Sequence, residues 1–240
     1  MRDEQLGGLL THLTGGSNRD GGDSGDKGPL VVLLHGFGAP GTDLVGLWRA
    51  LRVPSSTRFA FPEAPIEMPE YGYPARAWWK IDMARFQRPM TPEELRARTR
   101  EVPEGMAASR AHVIACLDAL QAKLGVSSEH IVLGGFSQGA MLACEVVLSD
   151  PRRFAGLVML SGTLINSETW QPKFAARADL PVFQSHGQND PILPFALSEK
   201  LRNKWTEAGA TVDWVPFRGG HEIPNPVLER LSAFVTRVVE

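Results

Sequence analysis

The chain has 240 residues, 43% of them apolar and 22% charged, with 25 Lys+Arg against 27 Asp+Glu for a net charge of −2. That length suits one large α/β domain with a sizeable core, and the charge balance argues against a nucleic-acid binder, which presents a basic surface. No apolar run approaches the ~18 residues needed to cross a bilayer, and Met1-Arg2-Asp3-Glu4 lacks the basic start and apolar stretch of a signal peptide, so a cytoplasmic chain without stable membrane insertion is expected.

Residues 1–28 differ from the rest and hold eight of the 24 glycines. Leu9 to Thr14, between two Gly-Gly pairs, reads as an edge strand, although Leu6, Leu9, Leu10 and Leu13 also fit one helical face. Gly15 to Gly28 is almost wholly Gly, Asp, Ser and Asn, and reads as a mobile loop. Residues 29–240 then read as a single catalytic domain. Strands are expected at Leu30–Leu34, Arg58–Phe61, His130–Gly134, Gly156–Leu160, Val182–Ser185 and Val212–Pro216. Helices are expected at Thr42–Leu51, Thr91–Arg100, Glu104–Leu124, Gln138–Leu148, Pro194–Ala208 and Pro226–Val239. Thr91-Pro92-Glu93-Glu94 carries the capping-box pattern, and Gly125 and Gly209 stand as C-terminal stops. Strands alternating with helices of this length imply βαβ units and a mainly parallel sheet covered on both faces. Cys116 and Cys144 have no metal or redox spacing and read as reduced core thiols.

In such a sheet the chemistry gathers where strand ends turn into helices. Gly135-Phe136-Ser137-Gln138-Gly139, set between an apolar strand and an apolar helix, matches the G-x-S-x-G elbow. That spacing presents Ser137 Oγ on a tight turn, because the residues two away on either side must be small for strand and helix to approach. A serine nucleophile needs a base, usually a histidine held by a carboxylate. Of the six histidines, His12 lies in the N-terminal tail, His112 in a helix, and His130 at the opposite end of its strand. His35 and His186 read as buried turn residues bonded to backbone. His221, in Gly219-Gly220-His221-Glu222 between the last strand and last helix, can reach the serine. Asp190, in the turn after the penultimate strand, is the matching acid, whereas Asp150, Asp213, Asp118 and Asp179 lack that placement. The order Ser137, Asp190, His221 is that of α/β hydrolases. Two backbone N–H groups should face the oxyanion that acyl transfer creates: that of Gln138, after the nucleophile, and that of Phe37, in His35-Gly36-Phe37-Gly38.

On these residues the chain resembles the phospholipase/carboxylesterase family of α/β hydrolases, which includes acyl-protein thioesterases and small bacterial carboxylesterases. The resemblance also rests on Phe61-Pro62-Glu63-Ala64-Pro65, Ala77-Trp78-Trp79-Lys80-Ile81-Asp82, Leu160-Ser161-Gly162 and His186-Gly187 through Asp190, and runs from about Gly28 to Glu240. It implies an α/β-hydrolase fold, a Ser137–His221–Asp190 triad, and Phe37 and Gln138 at the oxyanion. Phe37 stands where the family usually has Leu, and 83–103 looks longer and richer in Arg than in the simplest members.

Met68, Tyr71, Trp78 and Trp79 belong to a Pro- and aromatic-rich stretch that reads either as an acyl-binding wall or as an irregular loop over a sheet edge. Ile165, Ile192 and Ile223, each near a strand-end loop, are further pocket candidates. Arg85 to Arg100, within an expected lid at 83–103, reads equally as a lid helix or a solvated helix with Glu–Arg pairs. The expected activity is hydrolysis of short- to medium-chain carboxylic esters through an acyl-enzyme, with a small-molecule ester or thioester substrate and a monomer or homodimer as the working unit. Thioesterase and lysophospholipase chemistry share the triad, and a slow-turnover ligand-binding protein on the same fold is the rival from another class. A dienelactone-type hydrolase would use Cys where Ser137 stands. No cofactor or metal is expected: neither G-x-G-x-x-G nor a Gly-Lys-Ser/Thr loop occurs.

Overall fold

The computed structural model describes residues 1–19, 21, 27–82 and 90–240. Its frame is an eight-stranded sheet built from β1 (Arg2–Leu6), β2 (Leu9–Gly15), β3 (Leu30–Leu34), β4 (Arg58–Pro62), β7 (Ile131–Phe136), β8 (Gly156–Leu160), β9 (Val182–Gly187) and β10 (Val212–Phe217). Between β4 and β7 in the chain, β5 (Ile66–Glu67) and β6 (Arg76–Ala77) pair in a separate two-stranded ribbon. The large sheet runs β1-β2-β4-β3-β7-β8-β9-β10. Every pairing from β4 to β10 is parallel, and β1–β2 and β2–β4 are antiparallel. The mainly parallel α/β architecture is therefore as expected.

Side-chain alternation sorts each central strand between two cores. Leu30, Val32 and Leu34 of β3 join one apolar cluster, while Val31 and Leu33 join the other. The first cluster is closed by α3 (Met106–Leu124), α4 (Gln138–Ser149) and α6 (Phe195–Glu207) through residues such as Val113, Leu142 and Trp205. The second is closed by α1 (Leu47–Ala50) and α7 (Asn225–Val239), the latter through Val227, Leu231, Phe234 and Val235. A short α5 (Ser167–Trp170) follows β8, and α2 (Pro92–Arg100) precedes α3.

Two expectations change at the N-terminal side. Leu9–Thr14 is a strand, but β2 is an interior strand flanked by β1 and β4. The edge is β1, whose Arg-Asp-Glu-Gln run has too little apolar content to stand out and supplies the charges that protect a sheet edge. The expected helix Thr42–Leu51 shrinks to α1. Before it the chain makes i→i+3 turns (Asp43 N–H to Pro40 O, 3.0 Å; Val45 N–H to Thr42 O, 3.0 Å), and Gly41 and Gly46 punctuate them. The glycine-rich segment 15–28 falls partly outside the described residues, with Gly16 N–H bonded to Thr57 O (2.8 Å) and Gly21 N–H to Gly15 O (3.0 Å). Within 83–103, residues 83–89, and with them the first part of the Arg85–Arg100 expectation, lie outside the described residues, and α2 covers Pro92–Arg100. Thr91 caps it: Glu94 N–H donates to Thr91 Oγ1 (3.2 Å) and Thr91 N–H to Glu94 Oε2 (2.7 Å). No helix among the described residues is long and apolar enough to cross a membrane. Cys116 and Cys144 are free and buried, and burial pushes the Cys116 thiol up to about 11 and that of Cys144 well above its usual value.

Candidate active site

Ser137 lies in the turn joining β7 to α4, at φ 54° and ψ −116°, a region an L-residue occupies only when its surroundings hold it there. The surroundings are specific. A Cβ on Gly139 would overlap the Leu34 carbonyl, and one on Gly135 would lie 2.6 Å from Leu34 O and 2.5 Å from the backbone of Gly139. Strand, turn and helix therefore pack backbone against backbone, and Ser137 N–H completes the ladder to Leu160 O at 2.8 Å. Ser137 occupies the N-cap position of α4 without making a side-chain cap bond. Ser137 lines a cavity of about 330 Å³.

Asp190 and His221 come together in the loops that follow β9 and β10. Gly187 lets the two loops touch: a Cβ there would overlap the carbonyl of Gly220, while Gln188 N–H donates to Phe217 O (2.8 Å) and Asn189 N–H to Gly219 O (3.0 Å). Asp190 Oδ1 accepts from the N–H groups of Ile192 and Leu193, each at 2.9 Å, and Oδ2 lies 2.6 Å from His221 Nδ1. Burial works to raise the Asp190 carboxyl, but the His221 hydrogen bond and the Leu193 and Ile192 amides outweigh it and hold the pKa below the ordinary value. His221 packs against the Phe136 ring with centroids 4.7 Å apart, and Ser137 and His221 line the same cavity. Among the described residues no hydrogen bond joins Ser137 Oγ to His221; such contacts are often long before substrate binds.

The other two histidines are buried and bonded to backbone, His35 just beyond β3 and His186 within β9 itself and not in the turn that the sequence suggested. His35 Nδ1 lies 2.8 Å from Gly36 O, while Nε2 accepts from Ala64 N–H at 3.0 Å, the pattern of a neutral ring. Burial pushes its pKa down to about 4. His186 Nε2 lies 2.8 Å from Leu193 O and 3.3 Å from Asp190 Oδ2, and burial lowers its pKa too. His12, expected in a tail, is instead a buried residue of β2 between Asp3 Oδ1 (2.7 Å) and Glu63 Oε1 (2.9 Å).

Phe37 and Gln138, the expected oxyanion donors, both line the cavity beside Ser137. Gly36 brings the two segments close: a Cβ there would stand 3.3 Å from Ser137 Cβ. The Gln138 side chain has a task the sequence does not advertise. Its Oε1 accepts from Trp78 N–H (2.9 Å) and its Nε2 donates to Trp79 O (2.8 Å), tying the tryptophan segment to the start of α4.

Of the apolar candidates, Trp79, Ile165 and Ile192 line the cavity and Met68, Tyr71, Trp78 and Ile223 do not. Met68 is buried with Ala75 and Ala77 under the β5–β6 ribbon. Tyr71 is an exposed residue edge-on to Phe37. Trp78 points into the core, where its Nε1 donates to His35 O (3.0 Å), and Ile223 packs on the α7 side of the sheet. Ile81, Phe136, Met141 and Leu193 take their place on the wall, and Asp43, Lys80, Asp82, Arg98, Glu101 and Glu104 also line it. These come from several distant segments, and local pattern gives no hint that they share a surface. Among the described residues no group of three or more His, Cys, Asp or Glu side chains is arranged to hold a metal ion.

Comparison with known proteins places this geometry in context. A family model described as Phospholipase/Carboxylesterase matches residues 23–239. The chain is 31% identical over 223 residues to acyl-protein thioesterase 1 of Kluyveromyces lactis, covering 88% of this chain and 92% of that one. It is 28% identical over 218 residues to acyl-protein thioesterase 1 of Neurospora crassa, covering 86% and 85%. Among solved structures, esterase PE8 superposes with a TM-score of 0.77 at 28% identity, covering 96% of this chain and 99% of that one. The Bacillus cereus carboxylesterase does so at 0.70 and 20% identity, over 96% and 94%, a likeness of fold.

Proposed function

The chain belongs to the phospholipase/carboxylesterase family, and from that premise we propose that it hydrolyses carboxylic esters through an acyl-enzyme formed on Ser137. His221 removes the Ser137 proton as Oγ attacks the ester carbonyl. Asp190 holds the imidazole by Nδ1 and stabilises its cationic form. The negative charge on the carbonyl oxygen is met by the N–H groups of Phe37 and Gln138, the second at the N-terminus of α4, where the helix dipole favours it. His221 returns the proton to the departing alcohol. Water, deprotonated by the same ring, then releases the acid and restores Ser137.

The observation that carries this reading is the 2.6 Å contact between Asp190 and His221, set on the cavity where the strained Ser137 turn also opens. The cavity, at about 330 Å³ and walled by Trp79, Ile81, Met141, Ile165 and Ile192, is at the small end of ligand pockets and fits a short- to medium-chain acyl group. A thioester reading has its own support, since both relatives named above are acyl-protein thioesterases, and a thiol leaves by the same steps.

Ser137→Ala should lower turnover of p-nitrophenyl butyrate by about 10⁴-fold or more while leaving the fold intact. It should also abolish labelling by a fluorophosphonate. Retained turnover would overturn the assignment of Ser137, and labelling of wild type without repeated turnover would favour a binding protein. Matched ester and thioester series of rising chain length then decide between the two leaving groups by kcat/KM.

A further inference from the structure

The loop that carries Phe37 is held from behind by a chain of polar side chains that lies apart from Ser137 and His221. Arg76, in β6, pairs with this loop through its own backbone: Gly38 N–H donates to Arg76 O (2.9 Å), and Arg76 N–H donates to Ala39 O (3.0 Å). The Arg76 side chain then fans out behind the loop. Its Nε lies 2.7 Å from Glu63 Oε2, its Nη2 3.1 Å from Glu67 Oε1, and its Nη1 donates to Ala64 O at 3.1 Å. Glu63 touches the loop as well, since a Cβ on Gly41 would overlap its side chain. The other oxygen of Glu63 faces His12 Nε2 at 2.9 Å, and His12 Nδ1 faces Asp3 Oδ1 at 2.7 Å. The line therefore runs Asp3–His12–Glu63–Arg76, from the edge strand to the backbone at 38 and 39. His12 is nearly fully buried, with 4% of its side chain exposed, and Glu63 has 11% exposed, so water competes little for the contact between these two.

We infer that Glu63, Arg76 and His12 are positioning residues that set the Phe37 N–H at the place where the oxyanion develops. This rests on the reading of Phe37 as an oxyanion donor. An oxyanion donor contributes only when its hydrogen is placed within a few tenths of an ångström of the transition-state oxygen, so a loosened loop lowers transition-state affinity more than substrate affinity. Glu63 is the joint that matters most, because its two oxygens serve two different donors. Gln in its place keeps the shape and offers one acceptor oxygen for both. Lys at 76 keeps a positive charge but cannot span Glu63, Glu67 and the Ala64 carbonyl together.

The test uses the full chain with Glu63→Gln, Arg76→Gln and Arg76→Lys, and counts active sites by exhaustive fluorophosphonate labelling so that misfolded protein does not enter kcat. Each Gln variant should lose about 10- to 100-fold in kcat for p-nitrophenyl butyrate with KM within about twofold, below the cost of deleting a donor outright. Affinity for butylboronic acid, which forms a tetrahedral adduct, should fall by a similar factor, and Arg76→Lys should recover part of both. Unchanged kcat per labelled site and unchanged boronate affinity in Glu63→Gln and Arg76→Gln would overturn the inference. So would a rise in KM at constant kcat, which would indicate only a reshaped pocket. Should Arg76→Gln fail to fold, Glu63→Gln and Arg76→Lys decide by the same criteria. Ser137→Ala separates the two levels: if it stays active the serine mechanism itself falls, whereas an inactive Ser137→Ala beside a fully active Glu63→Gln removes this inference alone.

Discussion

Ser137 is held at φ 54° by contacts in which no side chain can yield, because the neighbours of Gly135 and Gly139 are backbone atoms. Gly139→Ala would drive a methyl group into the Leu34 carbonyl, and its cost should exceed about 3 kcal/mol or abolish folding, as expected for a steric conflict in a packed core. Gly46, at φ −56° with nothing near its missing Cβ, is the control. Gly46→Ala should be neutral or stabilise by up to about 1 kcal/mol in a urea melt, and equal costs at the two sites would refute the argument. This is why the elbow is legible in sequence: its constraint acts over five residues and leaves a fixed spacing. His35 supports a second prediction. Its pKa is depressed from 6.5 to about 4 by burial, so the unfolded chain binds a proton that the folded chain refuses. Stability is therefore full above pH 6.5 and declines as pH falls toward 4, by about 3 kcal/mol from this residue, with His186 acting in the same direction. Urea midpoints at pH 7, 5.5 and 4 should drop steeply in wild type and less steeply in His35→Gln; equal slopes would show that another group drives the loss.

At the scale of elements, α4 carries more than the nucleophile turn. Glu145 on it is fully buried, and its carboxylate collects Arg110 from α3, Trp170 Nε1 (2.5 Å) from α5, Ser149 Oγ (3.1 Å) and Asn166 Nδ2 (3.3 Å). Asn166 N–H in turn donates to Glu101 O (2.9 Å), at the cavity wall. Glu145→Ala leaves Arg110 and the indole N–H without their acceptor. It should destabilise by about 3 kcal/mol, near the low end of the cost of breaking a buried pair because Arg110 can turn to solvent. A loss under 1 kcal/mol would show that the network is solvated in practice. The capping box of α2 makes the opposite case. Only Thr99 of that helix is buried, so Thr91→Ala should cost about 1 kcal/mol locally, seen as faster amide exchange across 92–100 with little change in global melting. Thr91 and Glu94 were readable because they lie three residues apart. The Glu145 network was not, because its members lie on α3, α4, α5 and a loop, and an isolated Glu in an apolar helix carries no mark of its partners. The same reason explains the pocket: Trp79 was legible from its aromatic-rich stretch, and Ile165 and Ile192 from standing beside strand-end loops, a criterion that also picked Ile223, which lies off the wall, while Ile81 and Met141 reach the cavity only through packing.

At the scale of the whole molecule, the parallel part of the sheet was legible because central strands such as β3 and β8 are continuous apolar runs and helices alternate with the strands. At the antiparallel end β2 was legible as a strand but its interior place and β1 were not, since β1 is a consecutive run of polar and charged residues and the pairing order β1-β2-β4-β3 places β2 where its neighbours in sequence do not point. That order ties the first 16 residues to the core. Leu6, Leu9 and Leu13 pack in the main cluster, and β2 covers the flank of β4, whose five residues are all buried. A chain lacking residues 1–16 would bare the hydrogen-bonding edge of Arg58–Pro62 and cut Glu63 from His12. It should aggregate or melt well below wild type, because a long apolar edge strand invites pairing between copies. Removing only 1–6 exposes β2 instead, whose Gly7-Gly8 turn still rests on α3: a Cβ on Gly7 would overlap the backbone of Ala115 and Cys116. That shorter deletion should stay soluble at a reduced melting temperature. If both truncations behave alike, or if the longer one stays soluble with wild-type kcat and melting temperature, then β2 is an ornament on the sheet and not one of its interior strands.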